Sequence, residues 1–286
     1  MSHFNYKENG ALGRYQLTVE KGLDDESLAE ILKGNYKGLW LLRGDFTALA
    51  AHTDALQGIE VLRISTEITQ DISWVSDLPN LTHLSVEGKT KGFVDFNALV
   101  NLSSACIEYS NATKNLVTSN APLKGLLLSK WKAPLTEFSD SLVASLTSIN
   151  LTSGNHTSIE GLRRFKNLTG LVLFDIRKIT DISELEYCPQ IEELDISCCN
   201  RVEGVEVIKY LHQLRRLIFE NKSLPSLSLV PRDNLEEILL GDSTTVEDYN
   251  IECLLDFPKL QSVSYSKRKA YKYAAVELQA MLTENK

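Results

Sequence analysis

ITDISELEYCPQIEELDIS, residues 179–197, carries two apolar periods in one short stretch. Ile182, Leu185, Cys188 and Ile191 return at every third position. A three-residue period suits a 3-10 turn or a short helix with one buried edge. From Ile191 the pattern changes to L-x-x-L-x-L, filled by Ile191, Leu194 and Ile196. Within such a template the residues alternate. In the copy at 59–64, Leu62 and Ile64 face in while Arg63 and Ser65 face out, which is the period of a half-buried strand. The stretch therefore reads as a short helical return leading into a short strand.

Working outward, the strand template recurs along the chain. It fits Ile59-Leu62-Ile64, Leu81-Leu84-Val86, Leu123-Leu126-Leu128, Leu146-Ile149-Leu151 and Leu168-Leu171-Leu173. It continues at Leu214-Leu217-Phe219, Leu235-Ile238-Leu240 and Leu260-Val263-Tyr265. Weaker copies are Tyr36-Leu39-Leu41 and Ser104-Ile107-Tyr109. That makes eleven matches whose starts lie 19 to 25 residues apart. The three-residue period recurs before the strands, as in Ile72-Val75-Leu78-Leu81, Ile159-Leu162-Phe165-Leu168 and Ile251-Leu254-Phe257-Leu260. A fixed pitch of this kind is the mark of a solenoid.

The segments ITQDISWVSDLPNLTHLSV (68–86) and ITDISELEYCPQIEELDIS (179–197) resemble the roughly 22-residue leucine-rich repeats of bacterial internalins. They also resemble the repeats of a eukaryotic phosphatase regulator. The resemblance covers residues 36–266. It implies an α/β solenoid curved as a horseshoe, with a parallel β-sheet on the concave face. Short helices or 3-10 turns would form the convex face, over about eleven repeats. It also implies an interaction scaffold. One feature departs from the family. The buried asparagine ladder should fall at the ninth place of each repeat, which holds Glu67, Lys89, Ala112, Trp131, Gly154, Ile176, Cys199, Lys222 and Ser243. Asn111, Asn155, Asn200 and Asn221 lie one residue off. The backbone groups at these turns need other partners, and a less regular solenoid is expected. Trp131 is either a core plug in an irregular turn or a contact at the rim.

A solenoid must cap its ends. Residues 1–35 are off-pattern and read as an N-terminal cap. Arg14–Val19 alternates like a strand, and a helix over Asp24–Leu32 has Asp24 as its N-cap. Residues 267–286 read as a C-terminal cap. Ser266 opens a helix through Leu282, with Ala270, Ala274, Val276 and Met281 packing inward. The run Lys267, Arg268, Lys269 is a solvated face of that cap. The whole reads as one continuous domain.

Composition narrows the function. The 286 residues carry 30 basic and 38 acidic side chains, a formal net charge of −8. That disfavours nucleic acid as a partner. No apolar run is long enough to span a membrane. The N-terminal stretch has no apolar core of a secretory leader. The five cysteines form no CxxC pair, so neither structural zinc nor a disulfide framework is expected, and a reducing cytoplasm fits best. The sequons at Asn80, Asn101, Asn150 and Asn167 read as by-products of the repeat.

The third, fifth and seventh template positions face the hollow. Trp40, Leu127, Val172, Phe174, Ile218 and Leu239 supply apolar anchors there. Glu87, Glu108, Glu193, Asp195, Glu220 and Glu237 supply charge, against Arg63 and Arg216. Carboxylates around apolar anchors suit a basic partner protein, with charge steering the encounter and aromatics forming hot spots. A small acidic protein that is all binding surface could act as an immunity or inhibitor protein against a basic toxin or enzyme. The same traits suit a regulatory or targeting subunit.

No phosphate loop, dinucleotide fingerprint, zinc motif or nucleophile elbow occurs, and no cofactor or metal site is expected. One chemical alternative remains. His83 and Cys106 are expected at the same template position on consecutive strands, with Glu87 or Glu108 orienting the imidazole. Such a cysteine-dependent enzyme would work on an open sheet without an oxyanion hole.

Overall fold

The computed structural model describes residues 4–6 and 15–284. Arg14 and the chain before it, apart from the backbone of 4–6, lie outside the described residues, as do 285 and 286. The chain divides into two compact units. The first comprises Met1–Ser129 with Glu137–Leu146, and the second Lys130–Thr136 with Thr147–Lys286.

In the first unit β1 (Phe4–Tyr6) pairs antiparallel with β2 (Gln16–Glu20). Parallel pairing follows through β3 (Gly38–Leu42), β4 (Val61–Asp71), β5 (His83–Lys91), β6 (Ser104–Glu108) and β7 (Gly125–Ser129). Between β2 and β3 lies α1 (Asp25–Leu32). Its N-terminus is a reciprocal cap: the Ser27 amide donates to Asp24 Oδ1 at 2.8 Å, and the Asp24 amide donates to Ser27 Oγ at 3.0 Å. A second short helix, α2 (Asp140–Ser145), is capped by Ser139.

The second unit repeats the arrangement. Parallel pairing joins β8 (Ser148–Thr152), β9 (Gly170–Phe174), β10 (Glu193–Ser197) and β11 (Arg216–Glu220). β12 (Ser223–Leu224) leaves this sheet and pairs with β14 (Thr245–Val246). β13 (Glu237–Leu240) and β15 (Ser262–Ser264) continue the main sheet.

The three-residue period has a direct hydrogen-bond meaning. Val75 N–H donates to Ile72 C=O, Leu78 to Val75 and Leu81 to Leu78. The same chain of bonds links Ile182, Leu185, Cys188 and Ile191, and Ile159, Leu162, Phe165 and Leu168. Each apolar residue bonds the one a 3-10 turn away, so all share one edge. That edge and the leucines of the strands are buried together. They form the core between sheet and turns.

Strands end in a second recurrent device. Arg43, Lys130, Ser153, Asp175 and Cys198 each occupy the eighth template place with φ between 51° and 57°, and Lys21, directly after β2, has φ 67°. This left-handed residue turns the chain so that the ninth side chain points inward. Trp131, Gly154, Ile176 and Cys199 are accordingly buried. At the turn directly following β11, residues 221 and 222 do not take that conformation. The eighth residue, Asn221, then turns inward instead. Its Oδ1 accepts from Cys199 N at 2.8 Å and its Nδ2 donates to Ile196 C=O at 2.7 Å. Thr244 follows in the next repeat, its Oγ1 accepting from Asn221 N at 3.0 Å. In the first unit Gln70 serves similarly, accepting from Phe46 N at 2.8 Å and donating to Gly44 C=O. The eroded ladder is thus replaced by a mixed set of polar side chains.

Two expectations need correction, the weak copy at Ser104 and the C-terminal helix. The weak copy at Ser104 is out of register by two: Leu84 pairs with Ala105 and Val86 with Ile107. The template there is Leu102-Ala105-Ile107, all buried, and its alanine disguised it. The C-terminal helix α3 spans Ala275–Glu284 rather than starting after Ser266. The intervening segment is used elsewhere: Tyr271 Oη accepts from Val246 N at 2.8 Å, and Arg268 donates to the carbonyls of Asp242 and Thr244. Leu278 and Leu282 face the core, whereas Val276 is 75% exposed. Gln279 covers the last strand, accepting from Val263 N at 3.0 Å and donating to Gln261 C=O at 2.7 Å. Trp131, left open above, is a core plug. It is 1% exposed and stacks on His156 at 3.8 Å, with its indole N–H on Ala133 C=O.

Candidate functional site

Alternation places the third, fifth and seventh template side chains on the side of the sheet opposite the core. Of the twelve residues expected at a partner surface, none is buried. Strand register then arranges them in rows, one set in each unit.

On the first unit the fifth-position row runs Thr18, Trp40, Arg63, Ser85, Cys106, Leu127. Trp40 is half-buried, and the Arg63 guanidinium lies over its ring at 5.6 Å. The cation shields part of the indole. Glu87 is exposed. Glu108 Oε2 accepts from the Gly88 amide at 3.3 Å, so this carboxylate helps fix the neighbouring strand.

The His83–Cys106 pair is a consequence of the misread register. His83 faces Ser104, and Cys106 faces Ser85. The two side chains are offset by two residues on adjacent strands. His83 Nδ1 lies 2.9 Å from Thr82 Oγ1.

On the second unit the third-position row is Ser148, Gly170, Glu193, Arg216, Glu237. The fifth-position row is Asn150, Val172, Asp195, Ile218, Leu239, and the seventh is Thr152, Phe174, Ser197, Glu220. Phe174 is 44% exposed between Thr152 and Ser197. Ser197 is more covered than its outward place implies, and its hydroxyl donates to Asp195. Burial pushes the Asp195 carboxyl above the usual range, against the lowering effects of Ser197 and Arg216.

Charge on this face is partly internal. Arg216 Nε donates to Glu237 at 2.6 Å. One place earlier in the template, Arg215 pairs with Glu236 at 3.1 Å and Glu192 at 3.7 Å. The sequence reading missed that second row, although charges alternating at repeat spacing marked it. These exposed pairs contribute little stability, but they neutralise charge. Glu237 is thereby less available than expected. Among the described residues, Glu193 and Glu220 have no such side-chain partner. A shallow depression is lined by Ser148, Gly170, Val172, Glu193, Asp195 and Arg216.

Among the described residues, no group of three His, Cys, Asp or Glu is placed to hold a metal ion. No helix there is long and apolar enough to cross a membrane. Cys188 and Cys199 are buried, and burial pushes both thiols up to about 11.

Parallel strands at a 22-residue pitch, linked by 3-10 turns with one leucine-lined edge, define a leucine-rich-repeat protein. Its fold is of the internalin type. It is similar to an internalin from Listeria monocytogenes at TM-score 0.57 and 17% identity, over 90% of this chain and 83% of that one. It is also similar to a leucine-rich-repeat protein from Leptospira interrogans at TM-score 0.61 and 15% identity, over 93% of this chain and 75% of that one. Neither a protein-family model nor a curated relative matches the sequence.

Proposed function

We propose that this protein is a non-catalytic scaffold that binds a partner protein on the exposed face of its sheet. The observation that carries the reading is the second unit's face. There Phe174 is exposed and Val172, Ile218 and Leu239 are half-buried, beside the unpaired carboxylates of Glu193 and Glu220. No core requirement selects apolar side chains on that side. Apolar anchors within a charged surround are what a specific interface needs. The unbalanced carboxylates select a basic partner.

A finer reading follows from the same charge. The protein sequesters a basic toxin or enzyme, as an immunity or inhibitor protein would. Net charge of −8 supports steering toward such a partner. Free thiols at all five cysteines support work in a reducing compartment such as the cytoplasm. Asn80 and Asn101 each donate their side-chain amide to a carbonyl of the preceding repeat, Gln57 at 2.9 Å and Pro79 at 3.0 Å. A glycan would replace one of the two hydrogens on either nitrogen and crowd that bonded turn, which also favours a compartment without glycosylation.

The test is a pull-down from the native host, washed at low and high salt, beside a bait carrying Glu193→Lys and Asp195→Lys. One stoichiometric, salt-sensitive protein lost by the charge-reversed bait is the expected result. A partner held equally by both baits would remove this face from consideration.

A further inference from the structure

The third-position row of the second unit alternates in charge until it meets a gap. Glu237, Arg216 and Glu193 stand side by side on β13, β11 and β10. Arg216 is in register with both glutamates, yet its guanidinium pairs with Glu237. Glu193 is left as the unpaired end of the row. Its other neighbour in register is Gly170, which has no side chain. Beyond Gly170 stands the small Ser148. Strands about 4.8 Å apart make this gap wide enough for one side-chain stem. Leu171 and Leu194 turn their side chains to the core, so it is their backbone that lines the gap, together with Val172 and Asp195.

We propose, resting on the reading of this face as a partner surface, that the gap at Gly170 seats one arginine or lysine side chain of the partner. The aliphatic stem lies on Val172 and the Gly170 backbone, where amphipathic side chains gain from apolar contact. The cationic head reaches Glu193 and Asp195, extending the alternation one place further. The guest occupies the position that a basic residue at 170 would take. Phe174, on the same strand, then meets an apolar neighbour of that guest in the partner.

The chain offers a way to fill the gap from within. Gly170 lies in a strand, and its φ is outside the left-handed region. A Cβ there would lie 3.3 Å from Ser148 Oγ and 3.6 Å from its Cβ, a contact a serine can relieve by rotating. Gly170→Arg therefore places an internal cation beside Glu193, while Gly170→Ala controls for the added methyl.

The experiment is amide NMR of the full chain titrated with Nα-acetyl-arginine amide, Nα-acetyl-lysine amide and Nα-acetyl-norleucine amide. Saturable shifts at Gly170, Glu193 and Asp195 are expected with a cationic probe and not with norleucine. Comparing the first two probes tells guanidinium from ammonium. Gly170→Arg should weaken binding by about 10-fold or more, and Gly170→Ala should change it less. Equal shifts with norleucine, shifts shared by Glu87 and Glu108, or insensitivity to Gly170→Arg would overturn the assignment. The pull-down separates this idea from the broader one. If the Gly170→Arg bait keeps a partner that the charge-reversed bait loses, the face binds but the gap is not the seat. If neither bait loses it, the binding face itself is wrong.

Discussion

Gly154 lies against the indole of Trp131, so close that a Cβ at 154 would come within 2.8 Å of the ring's Cε3. Both residues occupy ninth template places. Where internalin-type repeats place an asparagine, this unit sets a tryptophan on one turn and leaves space for it on the next. The tryptophan therefore acts as a plug that depends on its neighbour having no side chain.

Gly154→Val should destabilise the protein by about 1–3 kcal/mol through overpacking. Trp131→Ala should cost about 3–5 kcal/mol through the cavity left. Denaturant unfolding followed by circular dichroism measures both. Because the two side chains occupy the same space, the double variant should cost less than the sum. Additive effects would mean that the turn adjusts independently of the indole.

Asn221 bonds two buried backbone groups at once, the Cys199 N–H and the Ile196 C=O. Asn221→Ala leaves both without a partner, at about 1–3 kcal/mol for each group. Asn221→Asp keeps the acceptor for Cys199 but loses the donor to Ile196, and brings a carboxylate into a buried site. Both variants should lower the unfolding midpoint, and hydrogen exchange at the Cys199 amide should accelerate in Asn221→Ala. An unchanged exchange rate would show that the amide is protected by other means.

Thiol labelling offers a separate check on which template positions face the core. Cys106 is exposed, whereas Cys188 and Cys199 are buried with their thiols pushed up to about 11. Cys253 is half-buried and also pushed up to about 11, with burial first and the nearby acidic groups second. Reaction with a disulfide reagent at neutral pH should modify exposed Cys106 before Cys188 and Cys199, since burial both blocks access to those two and raises their pKa. Mass mapping of the first modified peptide reads the result. Early labelling of Cys199 would contradict the burial of the ninth position.

How far the fold was legible depends on whether the deciding force was periodic. Ile182, Leu185 and Cys188 announced the 3-10 turns because one residue in three both packs and bonds. Leu194 and Ile196 announced the strand by alternation, and the outward rows followed. Legibility failed where a single repeat used an atypical residue. Ala105 fills a leucine place, so the template slid by two and brought Cys106 falsely opposite His83. Asn221 stood one place off the ladder because its turn lacks the left-handed residue that precedes Cys199. The gap at Gly170 escaped notice since a missing side chain leaves no chemical signature. It acquires meaning only when register sets it beside Glu193.

Asp195 ties stability to the proposed interface. Burial raises its carboxyl pKa from 3.8. A folded-state pKa above the unfolded one means that the folded chain holds its proton to higher pH. The group's contribution is therefore more favourable at low pH and is lost as pH rises through the folded-state value. Asp195→Asn removes that loss, since asparagine does not ionise. The variant should be at least as stable as the parent at neutral pH, and its advantage should shrink as the pH falls toward about 4. Melting temperatures of the two proteins measured in parallel across that range test this. A cation seated at Gly170 would favour the ionised form of Asp195, so partner binding should lower the pKa that burial raises. The parent then gains from the partner what the variant cannot, and Asp195→Asn should bind more weakly even as it melts higher. A variant that is both less stable and equally well bound would show that Asp195 serves packing alone.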